Sequence, residues 1–477
     1  FAVISVLGFI AYFFEGIGKY ATEIMPWDLS AQFMGYELTS ARGYALIICV
    51  LTSLYTVKGG MHSVVATEVM QFVVMTIGCI GVGIVAYNSV SIEQLNAVIP
   101  NGWKDLRFGW NLDLNWSETP FPQVNEKIAS DGFTLFGGLF VLMVLKGILA
   151  SIAGPVPSYD MQRILAAKKP SEAAKMSFLT VAVLYIPRYF MVVGFTVLAL
   201  VYLGPEIAAM GPSIDFEKIL PMTMNAHLPV GLKGIMLAGF LAAFMGTFAA
   251  FINAAPAYIV NDIYKKYINP LASDKRLVRL SILSSLTLVF VGIVFGFNAG
   301  SLNSLILWLS SALYGGYVAA NVLKWVWWRF TGAGYFWGML FGLIASTVKL
   351  FFFPEYVDIF VFPLIFAFSL LGCVIGTYAT PLPNPEAVAA FYKQTRPWGF
   401  WGPVKASVMA KDPSFVPNTH FKRDGINVLV GMVWQMAQLL IPVYFMIREN
   451  AQMVIWSAVF LGCSYLLKKY WWNTLED

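Results

Sequence analysis

The polar side chains that could carry chemistry stand inside long apolar stretches. Glu68 lies near the start of the stretch 63–88. Thr247 and Asn253 lie in a second stretch, 232–267. A carboxylate at membrane depth is costly to insert, so Glu68 is by default a functional candidate. The helix dipole also favours a carboxylate near a helix N-terminus, which leaves a purely structural role open.

The stretch 232–267 is unusual for its many small residues. They are Ala238, Gly239, Ala242, Ala243, Gly246, Ala249, Ala250, Ala254, Ala255 and Ala257. Small residues let helix backbones approach closely inside a membrane bundle, so we expect a central helix touched on several sides. A closely packed helix with no function of its own remains the alternative.

The composition is that of a membrane protein. Only 12% of the 477 residues are charged and 58% are hydrophobic, whereas soluble proteins carry about 25% charged residues. The sequence therefore predicts an all-α, polytopic helical bundle in contact with the lipid bilayer. The net charge of +5 requires no nucleic-acid partner, because cations in cytoplasmic loops account for it.

About twelve transmembrane helices are expected, with a tight turn at Gly59–Gly60 between the second and third. They lie near residues 1–24, 40–57, 63–88, 133–157, 174–203, 232–264, 276–298, 302–328, 331–353, 357–380, 425–447 and 451–470. We find no metal-spaced His/Cys cluster, nucleophile elbow or P-loop in the sequence, so an enzyme is not expected.

The distribution of cations predicts the orientation. With Phe1 placed inside, 20 lysines and arginines fall in inner connections and 9 in outer ones. Because cytoplasmic loops carry this excess, we expect both termini and the loop 381–424 in the cytoplasm. The expected location of the chain is a cell membrane, the inner membrane of a bacterium. The aromatic and basic residues of that loop suit the lipid head groups; they are Phe391, Tyr392, Trp398, Phe400, Trp401, Lys393 and Arg396.

Three blocks of sequence carry a resemblance to a known family. The first, 55–71, reads YTVKGGMHSVVATEVMQ, and the second, 162–168, reads QRILAAK. The third joins Ala242–Ala243 to Asn253 and to the Asp262-Ile263-Tyr264 triplet. In this order and spacing they resemble the sodium:solute symporter family, which includes sodium–galactose, sodium–proline and sodium–sialic acid symporters.

The resemblance implies a LeuT-type fold of two inverted five-helix repeats. It covers residues 1–447, which would form the symporter core from the third core helix onward. Residues 451–477 would add a C-terminal transmembrane helix and a short cytoplasmic tail. The function implied is secondary active transport, with sodium-coupled symport of a small organic solute by alternating access. A degenerate, non-transporting subunit or a sensor-like scaffold with this fold is the alternative.

The resemblance also implies a sodium site at Ala243, Gly246 and Thr247. Thr247 offers a hydroxyl and Ala243 a backbone carbonyl, but Gly246 has no side-chain oxygen where the family has one. A hard cation needs several oxygen ligands, so we expect a weak Na⁺ site that a serine at Gly246 would strengthen. Ala249 and Ala250 replace the hydroxyls of a second site, which we do not expect.

The solute side of the resemblance is less complete. Family members that carry sugars use polar and aromatic residues of the sixth helix, where this chain has Ala150 and Ala153. A galactose-type pocket is therefore not expected. Lys146 in the same span, or Arg188 in the next, could face an anionic solute, although such residues also serve structural roles.

A single cysteine at position 405 tests the predicted orientation. In a chain whose four native cysteines are replaced by serine, Lys405→Cys should react with a membrane-impermeant maleimide only after the cells are permeabilised. Lys104→Cys, on the predicted outer side, is the control and should react in intact cells. Labelling of position 405 in intact cells would show that the predicted orientation of the whole chain is inverted.

Overall fold

The computed structural model describes residues 2–33, 36–105, 109–154, 159–210, 215–297 and 313–475. The described chain is mostly helical. Its α-helices are α1 (Ala2–Ile24), α2 (Ser40–Ser89), α3 (Ile92–Val98), α4 (Gln123–Ser130), α5 (Phe136–Ala153), α6 (Tyr159–Ala166), α7 (Pro170–Tyr202), α8 (Gly204–Met210), α9 (Ile219–His227), α10 (Val230–Ala257), α11 (Asp274–Phe297), α12 (Val318–Val326), α13 (Gly332–Phe352), α14 (Asp358–Tyr378), α15 (Pro385–Thr395), α16 (Gly402–Lys411), α17 (Phe421–Met446) and α18 (Asn450–Tyr470).

Short elements connect or follow these helices, among them the 3₁₀ turns Phe133–Leu135, Phe216–Lys218 and Trp472–Thr474. A two-stranded antiparallel hairpin joins β1 (Ala31–Phe33) to β2 (Tyr36–Leu38). π-helical turns at Tyr258–Ile268 and Leu313–Tyr317 adjoin α10 and α12. The first of them begins two residues after Pro256, whose ring removes one backbone N–H and disturbs the regular helix.

Ten helical segments within the described residues are long and apolar enough to cross a membrane. They are Ser40–Val57, Val65–Ser89, Phe133–Ala153, Pro170–Tyr202, Val230–Ile268, Asp274–Phe297, Gly332–Phe352, Asp358–Tyr378, Phe421–Met446 and Asn450–Thr474. These match ten of the twelve predicted spans. α1 coincides with the span 1–24, and residues 302–312 of the span 302–328 lie outside the described residues.

The outer faces of these helices are apolar. Phe290 and Phe295 of α11 are 69% and 63% exposed, and Val141 of α5 is 54% exposed. Such surfaces suit lipid, and helices satisfy their own backbone polar groups there. The structure is therefore that of a polytopic membrane bundle.

α10 lies at the centre of the first half of the bundle, as its small residues predict. α1 runs antiparallel to it: the rings of Tyr20 and Phe240 meet near one end, with centroids 5.4 Å apart. Near the other end, the rings of Phe9 and Phe251 are 4.6 Å apart.

α2 passes along α10 in two opposite directions. Its first part runs antiparallel to α1, because Ala41 contacts Gly18 while Cys49 shares a buried cluster with Ile10. Since α1 is itself antiparallel to α10, this part of α2 is parallel to α10.

The second part of α2 runs antiparallel to α10. Gln71 lies against Gly246, whereas Gly81 lies against Leu232. The predicted reversal between the second and third spans is therefore confirmed. No separate loop divides the two spans, because the helical backbone is assigned throughout Ser40–Ser89 and the chain reverses by a sharp bend within α2. Glycine permits both helical geometry and a sharp bend.

The loop 381–424 differs from its prediction. Tyr392 and Trp401 are buried and pack on each other with ring centroids 5.7 Å apart. The indole nitrogen of Trp401 also donates to the carbonyl of Trp325. These two aromatics therefore bind the loop to α12 and do not face lipid, whereas Phe400 is exposed.

The contact between α13 and α14 depends on glycine. A Cβ atom at Gly372 would lie only 2.6 Å from the carbonyl oxygen of Trp337, and one at Gly338 would lie 2.1 Å from Sγ of Cys373. Because the backbone oxygen cannot move aside cheaply, no larger residue fits at Gly372 without separating the two helices.

Gly372→Ala should therefore lower stability, by about 1–3 kcal/mol for an overpacked site. Gly462→Ala in α18 is the matched control, because nothing lies within 4 Å of the added Cβ. The measurement is the thermal midpoint of the purified protein in detergent. Equal midpoints for the two variants would show that the α13–α14 contact is looser than described.

Candidate functional site

Glu68 is held by an ion pair with Arg163. Nη2 of Arg163 donates to Oε1 of Glu68, and the two side chains are 28% and 25% exposed. The pair joins the second part of α2 to α6, and thus the first sequence block to the second. Pairing with a cation lowers the cost of keeping a carboxylate among apolar helices.

Gly246 of α10 lies directly against this region of α2. A Cβ atom at Gly246 would lie 2.6 Å from Oε1 of Gln71 and 3.5 Å from Cγ of Glu68. Gly246 stands one helical turn before Ala249–Ala250, which are buried and carry no side-chain oxygen. Glu68 therefore approaches the helix that carries the predicted sodium site.

Thr247 and Ala243 bring two oxygen atoms together on α10. Oγ1 of Thr247 donates a hydrogen bond of 2.9 Å to the carbonyl oxygen of Ala243. The hydroxyl oxygen keeps lone pairs that can face a cation. Ala243 is exposed and Thr247 is half-buried, so neither residue is sealed inside a packed cluster. This donor set fits a hard cation such as Na⁺, which prefers oxygen ligands.

The two alanines expected on the solute side lie elsewhere in the bundle. Ala153 is buried in a cluster with Tyr317 and Val318, and Ala150 packs against the same cluster. This contact attaches α5 to α12. Ala153 is thus closed off by packing, and the structure does not bring either alanine to the oxygens of Ala243 and Thr247.

Lys146 and Ala150 line a different cavity, of about 650 Å³. Its wall also includes Lys349 and Asp358, whose side chains form an ion pair of 3.1 Å and are 8% and 17% exposed. Charged groups this well covered need partners, and the pair supplies one. The sequence placed Lys146 near the solute path but did not predict Lys349 and Asp358 as its neighbours.

Gln71 and Arg163 are the site residues whose roles sequence reasoning missed. Gln71 stands three residues after Glu68, and residues at that spacing share one face of a helix. This signal could have placed Gln71 beside Glu68. Arg163 belongs to a recognised block, but nothing in its spacing shows that it meets a residue 95 positions away. Among the described residues, no group of three His, Cys, Asp or Glu side chains could hold a metal ion.

Comparison with known proteins assigns the family. The sequence model of the sodium:solute symporter family matches residues 5–342. The chain belongs to this family. The sequence blocks that resembled it, at 55–71, 162–168 and 242–264, all fall inside the matched range.

Two relatives illustrate the similarity. The sodium/glucose cotransporter 4 of Danio rerio is 26% identical over 377 residues, which cover 72% of this chain and 53% of that protein. The sodium/myo-inositol cotransporter 2 of Oryctolagus cuniculus is 27% identical over 321 residues, which cover 63% of this chain and 46% of that protein. The chain thus spans about half the length of the curated relatives it matches.

A solved structure of a Na⁺-coupled sialic acid symporter, substrate-bound and outward-open, has a similar fold. The TM-score is 0.57 at 16% sequence identity, with 80% of this chain and 74% of that chain covered. The expected LeuT-type membrane bundle is therefore confirmed. The division at residues 447 and 451 stays a prediction.

A charge exchange tests the ion pair of Glu68. Glu68→Gln should destabilise the purified protein by about 1–3 kcal/mol, between the values for exposed and buried pairs. The single variants Glu68→Arg and Arg163→Glu should each lower stability, and the double variant Glu68→Arg/Arg163→Glu should lose less than the sum of the two, because both charges again have partners. Thermal midpoints measure both effects. A double variant no more stable than the sum of its single changes would contradict the pairing.

Proposed function

We propose that this chain carries out sodium-coupled symport of a small organic solute across a cell membrane. The observation that carries the proposal is the pair of oxygens at Ala243 and Thr247, on a central helix whose neighbour brings Glu68 and Gln71 against Gly246. Family membership supports the same reading. The sodium ion would be a co-transported substrate, bound weakly by this set.

The proposed ion site lies within the membrane-spanning part of α10, where alternating access would expose it to each side in turn. Secondary transporters bind substrates near the bilayer midplane and expose the site alternately to each side. Ala243 and Thr247 stand well inside the span Val230–Ile268. Glu68 would not hold a second sodium, because Arg163 already neutralises it and Ala249 and Ala250 add no side-chain oxygen.

Localisation follows the cation distribution. We propose a multi-pass protein of a cell membrane, that of a bacterium, and the cation distribution supports both termini of this chain on the cytoplasmic side. Its partners would be the solute and the lipid bilayer. The solute could bind in the cavity beside Lys146, because two lysines and Asp358 line it and charged groups can bind a charged solute.

A non-transporting scaffold is the second candidate. It is favoured by the loss of side-chain oxygens at Gly246, Ala249 and Ala250. If these losses abolished ion binding, the bundle would keep its fold without a driving ion. The two candidates therefore differ in whether sodium moves solute.

Uptake into proteoliposomes separates the two candidates. Labelled glucose, myo-inositol, sialic acid and proline serve as probe solutes, under an imposed sodium gradient and then under an imposed proton gradient. We expect uptake of at least one solute to require sodium. Thr247→Ala should raise the sodium concentration for half-maximal uptake at least tenfold, because it removes the side-chain oxygen.

Thr347→Ala in α13 is the matched control for this experiment. Thr347 makes the same bond to the carbonyl four residues earlier, that of Leu343, at 2.8 Å. It should leave sodium dependence unchanged. Sodium-dependent uptake unaffected by Thr247→Ala would reject the site, and absence of uptake of every probe under both gradients would favour the scaffold.

A further inference from the structure

We propose that the side-chain amide oxygen of Gln71 takes the place of the missing hydroxyl at Gly246 and serves as a sodium ligand. This inference rests on the proposed function and names a residue that completes its ion site. The expected ligands Ala243 and Thr247 lie on one helix. Gln71 would add a ligand from the helix packed against it.

The position of the amide depends on the glycine. Oε1 of Gln71 lies 2.6 Å from where a Cβ atom at Gly246 would stand. Separations under about 3 Å are shorter than the contact distance of two such atoms. Any larger residue at position 246 would therefore push the amide away. The amide oxygen and a side chain at position 246 exclude each other from the same space.

The chemistry of the two groups is equivalent for a hard cation. An amide oxygen is a neutral acceptor with two lone pairs, like a hydroxyl oxygen. Glutamine carbonyls are ordinary ligands of hard cations. Gly246 stands three residues after Ala243 and immediately before Thr247, so the amide reaches α10 beside both expected ligands. The oxygen missing from α10 is thus present, but it comes from α2.

The amide is also available to bind an ion. Within the described residues, no protein hydrogen bond to the Gln71 side chain is found, although that side chain is half-buried. Glu68, one turn earlier, is engaged by Arg163. Hence Gln71 is the neutral polar group of α2 that faces Gly246 and keeps free lone pairs.

The alternative explanation is packing. Gln71 could fill the space above Gly246 and touch no ion. A packing role requires volume at this place, whereas a ligand role requires an oxygen atom. Substitutions that change volume and oxygen content separately distinguish the two.

The experiment measures sodium binding directly, without transport. The thermal midpoint of the purified full chain is followed as NaCl replaces choline chloride, and the shift gives the dissociation constant because a ligand of the folded state stabilises it. We expect Gln71→Ala to weaken sodium binding at least tenfold. Gln435→Ala in α17 is the matched control and should leave binding unchanged.

Two double variants decide between ligand and packing. Gln71→Ala/Gly246→Ser returns an oxygen from α10 and should recover most of the lost affinity. Gln71→Ala/Gly246→Ala returns a similar volume without oxygen and should stay as weak as Gln71→Ala. Recovery by serine and alanine alike would overturn the proposal in favour of packing.

The remaining outcomes separate this inference from the proposed function. Sodium stabilisation of the wild type that Gln71→Ala leaves intact would overturn the role of Gln71 alone. Absence of any sodium stabilisation in the wild type would overturn the sodium site itself. If Gln71→Ala does not yield monodisperse protein, Gln71→Met replaces it, because methionine keeps the length of the side chain and removes the oxygen.

Discussion

The close approach of α2 and α10 is the constraint on which the rest of the site depends. The two backbones meet where one of them has almost no side chain, at Gly239 against Met75 and at Gly246 against Gln71. At a wider spacing, neither Glu68 nor Gln71 could reach α10. In lipid, where the hydrophobic effect does not drive helices together, such close packing is itself a main source of association. One requirement, small residues on α10, therefore serves both stability and the placement of polar groups.

The same contact explains why polar groups collect here. Ionisable side chains among apolar helices need partners, and a tight crossing brings partners from separate helices into range. Arg163 meets Glu68 in this way, although α6 and α2 are far apart in the chain. Lys349 and Asp358 form a second such pair, at the junction of α13 and α14.

The sequence predicted the features that depend on local order. Long apolar runs located ten of the spans, and the bond between Thr247 and Ala243 follows from helical geometry, since residues four apart share a face. The family resemblance singled out Gly246 of α10, the position that Glu68 and Gln71 approach. Features set by the rotation and spacing of separate helices could not be predicted: the partner of Glu68, the amide of Gln71 above Gly246, and the burial of Ala153 against α12.

The loop 381–424 shows why the environment of an aromatic side chain is difficult to predict from the sequence. Aromatic residues suit both a lipid interface and a protein core, and Tyr392 and Trp401 adopt the second. With the indole of Trp401 bonded to Trp325, and the backbone N–H of Phe400 bonded to the carbonyl of Val326, α15 and α16 are fastened to the end of α12. A binding protein raised against α15 and α16 would give electron microscopy a feature outside the detergent by which the membrane-spanning helices could be aligned.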